Sequence, residues 1–157
     1  MLLIRRSRQS SPPSKILGLF EQVGTLTPLA ERLASQYWPG PLTLIIPAAA
    51  GLCDDVHRKT GKVAVRVPDH GVARALAQAA GHPITSTSAN VSGAPAPASA
   101  DEVASALGDT IEALDVLIDA GPAPGGLPST IVDATGTEPI LVRAGAVPWE
   151  RVLKFLR

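Results

Sequence analysis

Thr130-Ile131-Val132-Asp133-Ala134-Thr135-Gly136-Thr137-Glu138-Pro139-Ile140-Leu141-Val142 holds two short apolar runs around a turn near Thr135-Gly136. Thr130–Val132 and Ile140–Val142 both read as strands. A parallel pair needs a crossover of about a dozen residues or more, and the segment between these runs is shorter, so they pair antiparallel. Upstream, helical and strand patterns alternate, which is the arrangement of an α/β chain. The expectation is one α/β domain with a twisted, mixed parallel/antiparallel sheet flanked by helices, without internal repeats or a second domain.

Working back from that stretch, Leu42–Ile46 is an almost wholly apolar strand, and Val63–Val67 is another whose run is broken by Arg66. Ile84 opens a short strand, and Val116–Ile118 reads as a buried one. Thr27-Pro28 is an N-cap followed by proline at the first helical position. Leu29, Leu33 and Tyr37 continue that helix to about Tyr37, where Pro39-Gly40-Pro41 stops it. Val72, Leu76 and Ala79 or Ala80 mark a helix ending at Gly81. Ser99 with Glu102 forms a capping box for a helix whose Val103 and Leu107 face the core, ending at Gly108. Pro148 opens a last helix carrying Val152, Leu153 and Leu156. Arg5, Arg6, Arg8 and Lys15 lie among serines and prolines with no acid before Glu21. Residues 1–15 are therefore expected to be a basic, mobile arm, and 16–157 the folded domain.

The chain of 157 residues suits one domain with a real core. Its 14 Lys and Arg balance its 14 Asp and Glu, which argues against a dedicated polyanion binder while leaving room for a local basic patch. The lone Cys53 excludes an internal disulfide and a cysteine-based zinc cluster. No apolar run approaches the roughly 18 residues of a membrane span, and Met1-Leu2-Leu3-Ile4-Arg5-Arg6 has its charges on the wrong side for a secretory signal. The expected location is the cytoplasm.

Residues Pro83-Ile84-Thr85-Ser86-Thr87-Ser88-Ala89-Asn90-Val91-Ser92-Gly93 concentrate hydroxyls and a carboxamide just after an apolar start. Such a segment cannot build a core, because each buried polar group needs a partner. It suits either a capped turn leaving a strand or a neutral cradle for an oxygen-rich ligand, and composition alone leaves both open. Arg66 within its apolar strand needs an anionic partner if buried: a protein carboxylate, or a ligand carboxylate or phosphate. Ser129 reads as a strand-start hydroxyl or a ligand contact, and Arg143 as an edge-strand charge or a ligand contact. Trp38 packs the junction of the first helix and first strand in preference to stacking on a base. His57, His70 and His82 lack metal-ligand spacing; His70 caps or buttresses its loop, and His57-Arg58-Lys59 with Lys62 reads as a solvated loop.

Five segments in order carry a resemblance. They are Trp38-Pro39-Gly40-Pro41-Leu42-Thr43-Leu44-Ile45-Ile46-Pro47, Val63-Ala64-Val65-Arg66-Val67-Pro68, Ser88-Ala89-Asn90, Pro128-Ser129-Thr130-Ile131-Val132-Asp133 and Arg143-Ala144-Gly145. From about Pro13 to the C-terminus the chain resembles the YrdC-like family, and within it the threonylcarbamoyl-AMP synthases of tRNA modification. The resemblance implies a nucleotidyltransferase that joins L-threonine, bicarbonate and ATP, with Mg²⁺ on the phosphates, and releases pyrophosphate. It implies threonine contacts at Arg66, Ser86 and Ser129, and ATP contacts at Lys62, Ser88, Asn90, Ala96 and Arg143, with Lys62 and Ala96 acting through backbone groups. Asn90 orients its loop or a phosphate oxygen. No catalytic nucleophile is implied, since the substrates supply their own. Double-stranded RNA or tRNA, and a downstream threonylcarbamoyl-transferase complex, are the implied partners.

The chain departs from the family pattern at its N-terminus. It lacks a Thr-x-Thr-x-Tyr-Gly-Leu segment, and Gln9 and Ser11 stand where a Lys-x-Arg motif belongs. On sequence it is therefore expected to be an N-terminally truncated member with uncertain turnover. The competing expectations are a non-catalytic nucleotide- or double-stranded-RNA-binding remnant and a related carbamoyl-transfer domain.

Overall fold

The computed structural model describes residues 2–3, 22–90, 93–108, 116–123 and 125–157. Two compact units emerge: residues 1–86 with 127–157, and residues 87–126. The first holds the whole sheet. Its strands are β1 (Leu2–Leu3), β2 (Leu42–Pro47), β3 (Lys62–Arg66), β4 (Ile84–Thr85), β5 (Thr130–Asp133) and β6 (Ile140–Arg143). Its helices are α1 (Pro28–Tyr37), the single turn α2 (Asp54–His57), α3 (Gly71–Ala80) and α5 (Trp149–Leu156); α4 (Ala100–Leu107) belongs to the second unit.

The sheet order is β4-β1-β3-β2-β5-β6. β1 and β3 are parallel, as are β2 and β5, while β1–β4, β2–β3 and β5–β6 are antiparallel. This is the expected mixed α/β sheet, including the antiparallel pair read from the short β5–β6 connection. Alternation along the strands sends Leu42, Leu44, Ile46, Val63, Val65 and Val132 into the core. Leu29, Ala30 and Leu33 of α1 and Val152 of α5 pack there too. The two helices meet through an edge-on ring contact between Tyr37 and Phe155, at 5.8 Å between centroids.

Local signals set the helix ends. Thr27 Oγ1 accepts the Ala30 N–H at 3.1 Å and donates to the Ala134 carbonyl at 2.7 Å, so the same hydroxyl caps α1 and ties it to the end of β5. His70 Nδ1 accepts the Ala73 N–H at 3.3 Å and caps α3, as expected of it. Gly81 ends α3 at φ 71°, a left-handed conformation that glycine adopts without penalty. Trp38 packs against the core and donates from Nε1 to the Leu42 carbonyl at 2.6 Å, which fits the junction role.

Several readings need correction. Val116–Ile118 is not a strand, and Val116 is 73% exposed. A short apolar run has no period that marks it as a strand. In α3 the buried residue is Ala77, whereas Val72 and Leu76 are exposed. α4 buries none of its residues, so Val103 and Leu107 are only partly covered. Its capping box is modified: Ser99 accepts from the Glu102 N–H at 3.2 Å, but the Glu102 carboxylate accepts from Ala98 N at 2.7 Å. Within residues 1–15, read as an arm, Leu2–Leu3 form a strand that pairs with both β3 and β4. Residues 4–15, including Gln9 and Ser11, lie outside the described residues.

Candidate functional site

One face of the sheet is apolar and covered by α1 and α5. Strand alternation places a different set on the other face: Thr43 and Ile45 of β2, Lys62, Ala64 and Arg66 of β3, and Ile131 and Asp133 of β5. Ser129 immediately precedes β5 and shares that face by the same alternation.

Arg143 reaches this face through an irregularity. Asp133 pairs with Ile140 and Val132 with Leu141, but Ile131 pairs with Arg143, so the register shifts at Ile131/Val132 and Val142 is the extra residue. Without the shift Arg143 would pair with Thr130, which points into the covered core. A one-residue slip exchanges the faces of a strand, and a bulge re-aims a side chain in this way.

Arg143 then grips the chain at Ser129. Its Nε and Nη2 donate to the Ser129 carbonyl at 3.2 and 2.7 Å, and Nη2 also donates to Ser129 Oγ at 3.1 Å. Ser129 Oγ lies 2.8 Å from Thr43 Oγ1, joining two buried hydroxyls across 86 positions of sequence. The backbone here is held from beneath. Thr130 Oγ1 donates to the Val147 carbonyl at 2.6 Å and accepts from Val147 N–H at 3.0 Å, and Ala146 N–H donates to Pro128 O at 2.9 Å. Gly145 sits so close to Pro128–Thr130 that any Cβ would overlap their backbone.

Arg66, half-buried at the end of β3, donates from Nε to the Gly40 carbonyl at 3.1 Å. Gly40 N–H in turn donates to Val67 O at 2.9 Å, so the Pro39-Gly40-Pro41 turn is strapped to this strand end. Burial lowers the Arg66 pKa from its usual value, and the neighbouring positive charge of Arg143 lowers it further. The ion pairs among the described residues are His57–Asp54, Lys62–Asp133 and Arg74–Asp69; neither Arg66 nor Arg143 is in them. Two guanidinium groups with no carboxylate partner among the described residues favour an anion beside them.

The other candidate residues are placed as follows. Lys62 is exposed, and its Nζ bridges to Asp133 Oδ2 at 2.7 Å. Burial opposes charge on Asp133, but hydrogen bonds from Lys62 and Thr135 outweigh it and hold the carboxyl below its usual range. Ser86 follows β4, half-buried, at the end of the first unit's N-terminal segment. Ser88, Asn90 and Ala96 lie in the second unit. There Asn90 Nδ2 donates to the Ala94 carbonyl at 2.8 Å and closes its own loop, while Ser88 and Ala96 are exposed. The first unit thus brings Arg66, Ser129 and Arg143 to one face. Sequence reasoning missed Thr43, Gly40 and Asp133 there. A lone hydroxyl inside Leu42-Thr43-Leu44 was the available signal for the first.

One face of a mixed α/β sheet thus carries two arginines beside the buried hydroxyls of Thr43 and Ser129. The chain belongs to the Sua5/YciO/YrdC family: the family model, described as telomere recombination, matches residues 2–145. A threonylcarbamoyl-AMP synthase of Pyrococcus abyssi is 39% identical over 127 residues, covering 81% of this chain and 36% of the relative. That of Bacillus subtilis is 38% identical over 124 residues, covering 78% of this chain and 35% of the relative. The chain therefore spans little more than a third of the length of these two curated relatives. Among solved structures, P. abyssi Sua5 complexed with L-threonine superposes with a TM-score of 0.82 at 33% identity, covering 99% of this chain and 42% of that one. E. coli YciO gives a TM-score of 0.73 at 26% identity, covering 87% and 65%. No helix among the described residues is long and apolar enough to cross a membrane.

Proposed function

We propose that this chain binds L-threonine and ATP and forms threonylcarbamoyl-AMP for tRNA modification. The observation that carries the reading is the pair Arg66 and Arg143 beside Ser129, on one sheet face and in no ion pair with a carboxylate among the described residues. A relative crystallised with L-threonine and the names of the two synthases support the choice of substrate. In this reading Arg66 takes the threonine carboxylate through its two Nη groups, because its Nε is engaged by Gly40. Ser129 and Ser86 hydrogen-bond the amino acid, and Arg143 faces the nucleotide. The contacts of Lys62, Ser88, Asn90 and Ala96 with ATP rest on their motif positions.

The threonine amine adds to carbon dioxide with loss of a proton, or to bicarbonate with loss of water, to give a carbamate, and a carbamate oxygen displaces pyrophosphate from the α-phosphate. Substrate groups supply both nucleophiles, so the protein's work is alignment and charge stabilisation. No group of three or more His, Cys, Asp or Glu among the described residues gathers to hold a metal. In this reading magnesium enters with the nucleotide, as part of the substrate.

Pyrophosphate release by the purified protein, with L-threonine, bicarbonate and ATP each omitted in turn, tests the reading. Release that requires all three is expected. Release independent of threonine refutes it, as does failure to bind threonine by calorimetry. Threonine and ATP binding without release would favour the non-catalytic alternative.

A further inference from the structure

Thr43 is 1% exposed between Leu42 and Leu44, in a strand position where valine would fit as well. Its hydroxyl makes one hydrogen bond among those described, to Ser129 Oγ at 2.8 Å. The roles in that bond follow from counting. A serine hydroxyl has one proton and two lone pairs. Arg143 can only donate, so its Nη2, 3.1 Å away, takes one lone pair of Ser129. If Thr43 also donates, both lone pairs are spent and the Ser129 proton is left for a ligand. If Ser129 donates to Thr43 instead, only a lone pair is left. The charges decide between these. With Arg66 and Arg143 on the same face, the group drawn here is an anion rich in acceptors, and it pulls the Ser129 proton outward.

We propose that Thr43 is a positioning residue that keeps Ser129 a hydrogen-bond donor toward the carboxylate of the amino-acid substrate. This rests on the reading that Ser129 contacts threonine. Thr43 itself is buried and acts only through Ser129.

The test compares Thr43→Val, which keeps shape and removes the hydroxyl, with Thr43→Ser, which keeps the hydroxyl. Calorimetry measures L-threonine and ATP separately, and thermal melts follow stability. Thr43→Val is expected to weaken L-threonine binding about tenfold, the effect of one hydrogen bond to a charged group. ATP binding should stay within about twofold, and Thr43→Ser should recover threonine binding to within about threefold. Unchanged threonine binding in Thr43→Val overturns the proposal. So does an equal loss for both ligands with a lowered melting temperature, or failure of Thr43→Ser to recover. If the unaltered protein does not bind threonine, the proposed function fails. The positioning role is then decided by the crystal structure of Thr43→Val: a re-oriented Ser129 hydroxyl upholds it, and Ser129 Oγ unmoved against Arg143 overturns it.

Discussion

Replacing Arg66 by methionine should separate binding from stability. Methionine matches the aliphatic stem and removes the charge, so the strand keeps its packing. The unaltered guanidinium has no carboxylate partner among the described residues, and both burial and Arg143 disfavour its charge. Removing it relieves that repulsion. The opposing loss is the hydrogen bond from Nε to Gly40 O, about 1 kcal/mol. The two effects oppose each other, and about 1 kcal/mol shifts the melting temperature of a domain this size by about 2–4 °C. The unliganded variant should therefore melt within about 4 °C of the unaltered protein. Binding should suffer far more. Removing one partner of a desolvated charge pair costs about 2–5 kcal/mol, and the partial exposure of Arg66 selects the lower part of that range. About 2–3 kcal/mol corresponds to a 30- to 150-fold weaker Kd for L-threonine. Calorimetry and thermal melts on the same preparations provide both readings. A Kd within about threefold of the unaltered protein would show that Arg66 does not hold the carboxylate. A melting temperature lowered by more than about 8 °C would show that Arg66 is a structural residue.

Three further substitutions probe the framework. Thr130→Val strips both hydrogen bonds from the Val147 backbone and leaves buried polar groups unpaired, so it should cost about 2–4 kcal/mol and lower the melting temperature by about 5–12 °C; a change under 2 °C contradicts that role. Gly145→Ala forces a methyl against Pro128–Thr130 and should cost about 1–3 kcal/mol while weakening threonine binding, whereas a stable variant with normal affinity would show that the loop yields freely. Asp133→Asn should lower stability at neutral pH by about 1 kcal/mol, the scale of a pair whose lysine is largely exposed. Because the folded Asp133 carboxyl lies below its usual range, its contribution is full above its unfolded pKa of about 3.9 and disappears as pH falls through the folded value. The stability gap between protein and variant should thus close in acid, and a gap equally large at pH 2 and pH 7 counts against the assignment.

What could be read in the chain before its structure was mostly local. Thr27, His70 and Gly81 act within a few residues of themselves, and each does what its type suggests. Arg66 was legible because a charge in an apolar run is itself an anomaly. Val116–Ile118 misled because a short apolar run has no period to distinguish a buried strand from an exposed segment. The same weakness applies to Val72 and Leu76, whose helical spacing is correct although Ala77 is the residue that the fold buries.

Arg143 was named from the sequence, but the geometry that aims it was not legible there. Alternation counted back from Ile140, paired with Asp133, would give Arg143 the face of Thr130, in the covered core. A guanidinium there would have to be paired or neutralised at a cost of several kcal/mol, so that register is closed to it. The extra residue at Val142 opens the alternative. It turns Arg143 to the face of Ile131 and Ser129, where its Nε and Nη2 meet the Ser129 carbonyl. The bulge, the glycine at 145 that lets the chain pass Pro128–Thr130, and the Thr43 hydroxyl two strands from Arg143 form one device. Each part is an ordinary residue in sequence. They meet because β2, β5 and β6 bring them into register, and that register is a property of the sheet.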